Sequence, residues 1–420
     1  MKKIKAVLVG AGNRGNIYAN FALTNSDEMA LVAVVDPNAI HRNEVADKHK
    51  ISSDMRFASI SEFASAGIEC DVVINATMDN IHYETAKELL LAGYNVILEK
   101  PVTAKRAELI ELRDLANERG LNIFVCHLMR YQPFYKGIKS HIISGEIGKI
   151  VSIKMSEYVG VSHFIESFIV GKWRSESECG SPLLLAKSCH DIDMMCWLNN
   201  STVPKSVASF AARATFVPAN APEGATKTCH TCPHENSCIY SLTNIFTGMS
   251  GAWKRIMLEC DKPASEVTQE DIYKKLRESH YGECAYENRD LIDRQNVIVQ
   301  FEDGSIGTFD LIGATAKADR YIHIVGERGE IFGNRESGVY TVRVYDFKEK
   351  EYVERSYDIR SEIVGGHSGG DIGIMKDVCK WLSGDTTSIS MTGINDSVNG
   401  HLTVYAAERS RKNGSIEQVS

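Results

Sequence analysis

The stretch that decides the fold is Val7-Leu8-Val9-Gly10-Ala11-Gly12-Asn13-Arg14-Gly15-Asn16-Ile17. Its apolar start is typical of a buried parallel strand, and the chain then passes through Gly-x-Gly-x-x-Gly into a helix-like segment. The first glycine allows a tight turn, the second lets the backbone approach a pyrophosphate, and the third permits close packing of helix on strand. Free N–H groups at the helix N-terminus then face the phosphates. The stretch predicts a dinucleotide site at Gly10, Gly12, Asn13, Arg14 and Gly15.

The next apolar run indicates which dinucleotide is bound. Residues 29–35 predict a second buried strand, which ends at Asp36. An acidic residue about 20 positions after the glycines can bind the ribose hydroxyls of NAD, and it would repel the 2′-phosphate of NADP. Asp36 therefore favours NAD, while Arg42 nearby leaves NADP open.

Strand and helix patterns alternate as far as residue 126. Apolar runs at 71–77, 94–98 and 122–126 predict strands, and 80–93 and 105–119 predict helices. This order is typical of a doubly wound parallel sheet, so residues 1–126 are assigned to an α/β Rossmann domain. Residues 127–420 show alternating strands, a hairpin around Glu302-Asp303-Gly304 and helices at 371–382 and near the C-terminus. They predict a C-terminal α+β domain with a large, mostly antiparallel open sheet.

Composition and charge exclude several classes of protein. The formal net charge is −8 and no Lys/Arg cluster stands out, so nucleic acid is not an expected partner. No apolar run approaches the roughly 18 residues of a membrane span, so no membrane association is expected. Eleven cysteines without an export signal favour reduced thiols or metal ligation over disulfides. These features predict a cytoplasmic protein.

An irregular, cysteine-rich insertion interrupts the C-terminal domain at about residues 218–290. Four of its cysteines could form a tetrahedral thiolate site: Cys229, Cys232, Cys238 and Cys284. A structural Zn²⁺ is the first interpretation, because the insertion lacks a core of its own. An iron–sulfur cluster or a metal-free loop of reduced thiols are the alternatives.

Further motifs carry a family resemblance. They are Gly10–Gly15, Asp36-Pro37, Ala76-Thr77 with His82, Ala92-Gly93, Glu99-Lys100-Pro101, Arg130-Tyr131-Gln132-Pro133, residues 144–150 and His190-Asp191-Ile192-Asp193. Through them nearly the whole chain resembles the Gfo/Idh/MocA family of NAD(P)-dependent sugar and polyol oxidoreductases. The resemblance implies an enzyme that transfers a hydride between nicotinamide and a carbinol carbon of a sugar, inositol or sugar derivative, with the C-terminal sheet covering the nicotinamide.

The resemblance also implies catalytic residues. Lys100 of the Glu-Lys-Pro motif is expected to point at the reacting carbon, helped by a proline peptide that is typically cis. His190 is expected as an acid, a base or a substrate ligand. Many family members carry Asp four residues before this histidine, whereas this chain has Ala186 followed by Lys187. Lys187 is therefore a third catalytic candidate, and Asp193 could orient the His190 ring or pair elsewhere.

Other candidates contact the cofactor, the substrate or a second subunit. On the nicotinamide side, the resemblance implies Thr77, His82, Glu99 and Lys100. An aromatic face or an arginine suits a sugar ring or an acidic group, and the substrate-side candidates are His163, Trp173, Arg174 and Asp193. The family commonly associates through the outer face of the C-terminal sheet, which implies a homodimer or homotetramer.

Two alternative functions stay open. One is an NAD-assisted glycoside-cleaving enzyme, in which transient oxidation acidifies a neighbouring proton and permits elimination. The other is a non-catalytic NAD-binding sensor, which the alanine at position 186 favours and the intact Glu99-Lys100-Pro101 motif opposes.

Overall fold

The computed structural model describes residues 2–248, 258, 260, 262 and 266–419, and its N-terminal part is a parallel sheet. The strands are β1 Ile4–Val9, β2 Met29–Val35, β3 Arg56–Phe57, β4 Val72–Asn75, β5 Val96–Leu98 and β6 Ile123–Val125. The helices between them are α1 Asn13–Thr24, α2 Ala39–Lys48, α3 Ile60–Ser65, α4 His82–Leu91 and α5 Arg106–Glu118. The strand order is β3-β2-β1-β4-β5-β6, which confirms the predicted doubly wound Rossmann sheet.

In the Rossmann sheet, the crevice expected to bind a ligand lies at the carboxyl ends of the strands. The order of the strands reverses between β1 and β4, and ligands bind outside the carboxyl ends of strands at such a switch point. β4 is buried along its whole length and all but one residue of β1 are buried, as continuous apolar runs require in a parallel sheet covered on both faces. The Gly10–Gly15 turn follows the carboxyl end of β1 and therefore lies at this crevice.

The C-terminal part is a nine-stranded open sheet. Its strands are β7 Ile150–Gly160, β8 Pro204–Ala212, β9 Arg294–Phe301, β10 Ile306–Thr315, β11 Tyr321–Gly326, β12 Gly329–Asn334, β13 Val339–Asp346, β14 Glu351–Asp358 and β15 Glu417–Gln418. The order is β14-β13-β12-β11-β7-β10-β9-β8-β15, and only β7 and β10 pair in parallel. The predicted hairpin is confirmed, because β9 and β10 pair antiparallel around Gly304, whose φ is +87°.

Helices precede or connect the strands of this sheet, and some of them join it to the Rossmann domain. They are α6 Pro133–Ile143, α7 Val161–Phe164, α8 Glu176–Cys179, α9 Leu183–Leu198, α10 Leu242–Thr247, α11 Gln269–Glu278, α12 Gly370–Leu382 and α13 Ile394–Asn413. Every residue of α9 is buried except Lys187 and His190. This central helix therefore exposes only the two side chains that the sequence singles out as catalytic candidates.

The helix predicted at 371–382 forms but does not pack within the C-terminal domain. Ile374, Met375 and Val378 of α12 join Leu8 and Tyr18 in one buried cluster of the Rossmann domain. The helix period is local information, whereas the sheet on which a helix packs depends on the rest of the chain. Within the described part of the chain, no helix combines the length and apolarity needed to cross a membrane.

Candidate functional site

The Gly10–Gly15 turn has the shape of a dinucleotide cradle. Gly10 has φ +87°, and a Cβ there would lie 2.6 Å from the carbonyl oxygen of Ala76. A Cβ on Gly15 would lie 2.0 Å from the carbonyl oxygen of Gly10, whereas one on Gly12 would have no atom within 4 Å. Gly12 is the N-cap of α1, and no side chain of the described residues caps that helix. Open space beside uncapped N–H groups fits a pyrophosphate.

Asp36 closes the other end of this cradle. One carboxylate oxygen accepts the N–H of Ala11 at 2.7 Å, and the other accepts the N–H of Asn38 at 2.7 Å. Each oxygen retains a lone pair that a ribose hydroxyl could use. The guanidinium of Arg42 donates to the Asp36 carbonyl, so a cation also stands at this position.

Arg14 and Glu99, both predicted to contact the cofactor, are engaged with each other. Arg14 Nε donates to Glu99 Oε1 at 2.7 Å and its Nη2 donates to Asp371 at 2.8 Å. The Tyr18 hydroxyl donates to Glu99 Oε1 at 2.5 Å. Burial opposes ionisation of Glu99, but Arg14 and Lys100 outweigh it and hold its pKa below the usual value. This network stabilises the glycine turn, because the carboxylates of Glu99 and Asp371 both pair with Arg14, a residue of the glycine motif.

His82, predicted as a nicotinamide-side contact, has both ring nitrogens at backbone carbonyl oxygens. The ring is buried, with Nδ1 2.6 Å from the carbonyl oxygen of Pro101 and Nε2 3.0 Å from that of Thr77. The Thr77 hydroxyl in turn donates to Asn75 Oδ1 at 2.9 Å. Because His82 joins the ends of β4 and β5, it holds the loop that carries Lys100. The Lys100–Pro101 peptide is cis, as the resemblance implies.

The structure brings Lys100 to the two partly exposed residues of α9. Lys100 Nζ donates to the carbonyl oxygen of Ala186 at 2.8 Å, one residue before Lys187. His190 follows one turn further along the same helix. The three catalytic candidates therefore converge where the Rossmann domain meets the second sheet.

Three charged residues that sequence reasoning missed complete this convergence: Glu157 of β7, Asp191 of α9 and Arg320 immediately before β11. Lys187 Nζ lies 3.1 Å from Glu157, and Arg320 Nε donates to Asp191 at 2.9 Å and also contacts Glu157. Burial and Glu157 raise the pKa of Asp191 to about 6, against the opposing effect of Arg320, and burial lowers the pKa of Lys187. Only Asp191, next to His190 in the motif, carried a sequence signal. We call these five residues the charge cluster: Glu157, Lys187, His190, Asp191 and Arg320.

His190 lies within the charge cluster as a neutral imidazole. Burial lowers its pKa well below the ordinary value, and the nearby Lys100 and Arg320 lower it further. Its Nε2 lies 3.8 Å from Asp191 Oδ2 and has no hydrogen-bond partner among the described residues. A buried nitrogen without a partner is costly unless a ligand or a water satisfies it. His190 is therefore suited to accept a hydrogen bond or a proton from a bound molecule.

Two predicted substrate contacts are engaged elsewhere. Both oxygens of Asp193 accept from Arg130, at 2.7 and 2.5 Å, and Asp193 is fully buried. It therefore neither orients His190 nor faces a substrate, because the planar guanidinium takes both of its oxygens. Arg174 forms an ion pair with Glu178, four residues further along the chain, with 2.5 Å between Nη2 and Oε2.

The other two substrate candidates lie nearer the site. Trp173 joins the domains, since its indole N–H donates to Asp79 of the Rossmann domain at 2.9 Å. His163 is stacked on Phe168, with 6.2 Å between the ring centroids, and is exposed at the edge of the charge cluster. Surrounding protein lowers the pKa of His163, and the cation of Lys187 lowers it further.

The cysteine prediction is not confirmed as a metal site. Cys229, Cys232, Cys238 and Cys284 are free thiols that line one cavity, so the structure does bring them together. Across the described ranges, however, no group of three or more His, Cys, Asp or Glu side chains is placed to hold an ion.

Comparisons with known proteins agree with this architecture. The YteT protein of Bacillus subtilis is 23% identical over 73% of this chain and 72% of its own length. The myo-inositol dehydrogenase Hyg17 of Streptomyces leeuwenhoekii is 25% identical over 49% of this chain and 58% of its own. Among solved structures, the WlbA dehydrogenase of Bordetella pertussis, in complex with NADH and UDP-GlcNAcA, has a TM-score of 0.68 at 17% identity, covering 99% of this chain and 98% of its own. Levoglucosan dehydrogenase in complex with NADH has a TM-score of 0.72 at 16% identity, covering 100% of both chains.

Two family descriptions cover most of the sequence. Residues 4–127 match the Gfo/Idh/MocA oxidoreductase family, NAD-binding Rossmann fold, and residues 139–415 match its C-terminal alpha/beta domain. The glycine cradle and the Glu99-Lys100-Pro101 loop lie within the first match, and the charge cluster lies within the second. The chain therefore belongs to the Gfo/Idh/MocA family of oxidoreductases, with an N-terminal NAD-binding Rossmann domain.

Proposed function

We propose that the protein is an NAD-dependent dehydrogenase that acts on a CH–OH group of a sugar, an inositol or a related polyol. The observation that carries the proposal is the contact of Lys100 Nζ with α9 beside Lys187 and His190. It places two amines and a neutral imidazole at the junction of the domains. The dehydrogenases of inositol and levoglucosan among its relatives support this class of substrate.

Each residue of the site has a role in the proposed reaction that follows from the chemistry of its side chain. When bound, NAD supplies the acceptor for the hydride. Lys100 hydrogen-bonds the carbinol oxygen and takes its proton as the carbonyl forms. His190, neutral and with an unpartnered Nε2, accepts a hydrogen bond from a neighbouring hydroxyl. Lys187, held by Glu157 at 3.1 Å, orients the substrate and handles protons beside Lys100.

NAD is proposed over NADP because of the charge at the ribose end of the cradle. Asp36 is held in place by two backbone N–H groups, so its carboxylate cannot turn away from a 2′-phosphate. The Arg42 guanidinium beside it donates to the Asp36 carbonyl and is thereby anchored.

A panel of sugars, inositols and glycosides, offered with NAD or NADP and followed through reduced cofactor, tests the proposal. With the substrate found, Lys100→Met and His190→Asn are compared with Lys105→Met, a lysine whose side chain is 75% exposed. The first two are expected to lose about 10²- to 10⁴-fold in turnover, the usual contribution of acid–base catalysis, and to bind NAD normally. Turnover at the parent rate in both variants would contradict the assignment of Lys100 and His190 as catalytic residues.

The same panel separates the two alternatives. A glycoside-cleaving enzyme that retains NAD would release an aglycone without accumulating NADH. A sensor would bind NAD and turn over no member of the panel. The buried charge cluster supports chemistry, because titratable groups with strongly shifted pKa values concentrate at catalytic sites.

We also propose that the outer face of the second sheet forms the contact between subunits. Exposed apolar side chains lie on this sheet, with Phe210 74% and Ile298 46% exposed. The face also bears an open concavity of about 720 Å³, lined by β7, β10, β11, β12 and β13. Exposed apolar patches of this kind mark association surfaces. Light scattering on Phe210→Asp, beside the parent, is expected to show a smaller assembly.

A further inference from the structure

A loop between β14 and α12 reaches the glycine motif of the Rossmann domain. Residues 365–371 have the sequence Gly-Gly-His-Ser-Gly-Gly-Asp, and we call them the histidine loop. Arg14 Nη1 lies 3.2 Å from His367 Nδ1, and Arg14 Nη2 donates to Asp371 Oδ1 at 2.8 Å. These partners are 353 and 357 residues apart in sequence, so only the fold brings them together.

The backbone of the histidine loop is strained. His367 has φ +46° and Ser368 has φ +52°, a left-handed conformation that residues with a Cβ rarely adopt. Such residues persist only where the surrounding structure holds them, and they concentrate at active sites and ligand-binding segments. The His367 side chain is 53% exposed, so core packing does not explain a strained histidine at this position.

Hydrogen bonds from outside the loop hold this conformation. Gln132 Nε2 donates to the carbonyl oxygen of His367 at 2.9 Å, and Arg335 Nη1 donates to Ser368 Oγ at 2.9 Å. The N–H of Arg335 in turn donates to the carbonyl oxygen of Arg320, a member of the charge cluster, at 2.9 Å. The histidine loop is therefore anchored beside the substrate side while its histidine and aspartate contact the nucleotide side.

Asp371 connects His367 to Arg14. Its side chain is 6% exposed, and its Oδ2 lies 2.7 Å from His367 Nδ1. Because Nδ1 cannot donate to Asp371 and accept from Arg14 at once, the shorter contact assigns its proton to the bond with Asp371. Burial opposes ionisation of Asp371, but His367 and Arg14 outweigh it and hold its pKa below the usual value. The carboxylate therefore stays charged and holds the guanidinium.

We propose that His367 is a positioning residue of the nucleotide site. It orients Asp371, which together with Glu99 holds the Arg14 side chain. Arg14 belongs to the first turn of α1, whose uncapped N–H groups fit a pyrophosphate. His367 therefore fixes the turn on which NAD rests, from a loop far away in sequence. This role depends on NAD binding by the Rossmann domain and not on the proposed class of substrate.

Two variants separate the side chain from the backbone. His367→Gly suits the positive φ and removes the imidazole, whereas His367→Asn tolerates the same backbone and keeps a donor near the place of Nδ1. We expect His367→Gly to lose about fivefold in NAD affinity, measured by calorimetry, which is less than a full hydrogen bond to a charged group because Glu99 still holds Arg14. His367→Asn is expected to stay within about twofold of the parent. A parent-like affinity in His367→Gly, or an equal loss in both variants, would overturn the role.

The matched control is Lys350→Gly. Lys350 also has a positive φ, +59°, and lies exposed between β13 and β14. It therefore reports what a glycine does by itself at such a backbone position. Its NAD affinity is expected to equal that of the parent. A loss as large as in His367→Gly would assign the effect to the glycine and not to the missing imidazole.

Hydrogen exchange on the full-length parent covers variants that fail to fold. Coupling between two sites is reciprocal, so NAD is expected to slow amide exchange in residues 365–371 as well as in the first turn of α1. Slower exchange in α1 alone would contradict the role of His367. Neither measurement needs a substrate, so both results stand if the dehydrogenase assignment fails. If that assignment is right, His367→Gly is expected to raise the KM for NAD more than it lowers kcat.

Discussion

The nucleotide side and the substrate side of the site are built by different means. The nucleotide side uses the backbone of one short turn, where Gly12 leaves open space and Gly10 and Gly15 allow contacts that a Cβ would block. The substrate side uses buried charges, with Glu157 coming from β7 and Arg320 from the position immediately before β11. The nucleotide side is therefore sensitive to added side-chain volume, and the substrate side to the loss of a charge.

The largest expected effect comes from breaking the charge cluster. Arg320→Met removes the cation between Glu157 and Asp191 and leaves two buried carboxylates facing each other. Breaking a buried ion pair costs about 3–5 kcal/mol, so we expect a loss of that order in the free energy of unfolding, measured with urea. NAD affinity of the folded fraction, measured by calorimetry, is expected to stay unchanged.

The matched control is Arg360→Met. Arg360 pairs with Asp358 but its side chain is 70% exposed, so its removal is expected to leave the unfolding curve where it was. If Arg320→Met behaved like this control, the charge cluster would not be the structural element described here. A large loss of NAD affinity would show instead that the two sides are coupled.

The same contrast explains what could be predicted from the sequence. The cradle, its acidic partner Asp36 and the strand order depend on local glycines and apolar runs, which are visible in a single chain. The meeting of Glu157 with Arg320 depends on the pairing of β7 with β11, and no local pattern carries that register. The pairing of Asp193 with Arg130 was unpredictable for the same reason, since the two residues are distant in sequence and close only in the fold.

The next effect is a dependence of stability on pH between about 4 and 6, which arises on the substrate side. Folding raises the pKa of Asp191 to about 6, above its unfolded value of about 4, so the native state holds this proton to higher pH than the unfolded chain. The contribution of Asp191 to the free energy of unfolding therefore falls as pH rises from about 4 to 6, by about 1.4 kcal/mol per pKa unit before coupling to Glu157 and Arg320 is counted.

Asp191→Asn removes this titration. The difference in urea midpoint between the variant and the parent is expected to shift in favour of the variant across this window and to stay level above it. A difference that is flat from pH 4 to 8 would mean that Asp191 ionises normally within the charge cluster.

On the nucleotide side, the substitution with the larger expected effect is Gly12→Ala. A Cβ at Gly12 meets no protein atom within 4 Å, so stability is expected to change by less than about 0.5 kcal/mol. The methyl group would occupy the space assigned to pyrophosphate, and NAD affinity is expected to fall about tenfold or more, equal to about 1.4 kcal/mol. Gly393→Ala, which also meets no atom within 4 Å but lies away from the cradle, serves as control in the same titration. Equal NAD affinity in both variants would place the pyrophosphate elsewhere.

The smallest expected effect is on the choice between the two dinucleotides. Asp36→Asn keeps the size of the side chain but removes its charge and one of the oxygens that hold Ala11 and Asn38. A charge-assisted hydrogen bond exceeds a neutral one by about 1 kcal/mol, so the ratio of NADP to NAD dissociation constants is expected to fall about fivefold. Asp27→Asn, at an exposed carboxylate of the same domain, controls for net charge. An unchanged ratio in Asp36→Asn would mean that the Asp36 carboxylate does not discriminate between the two dinucleotides.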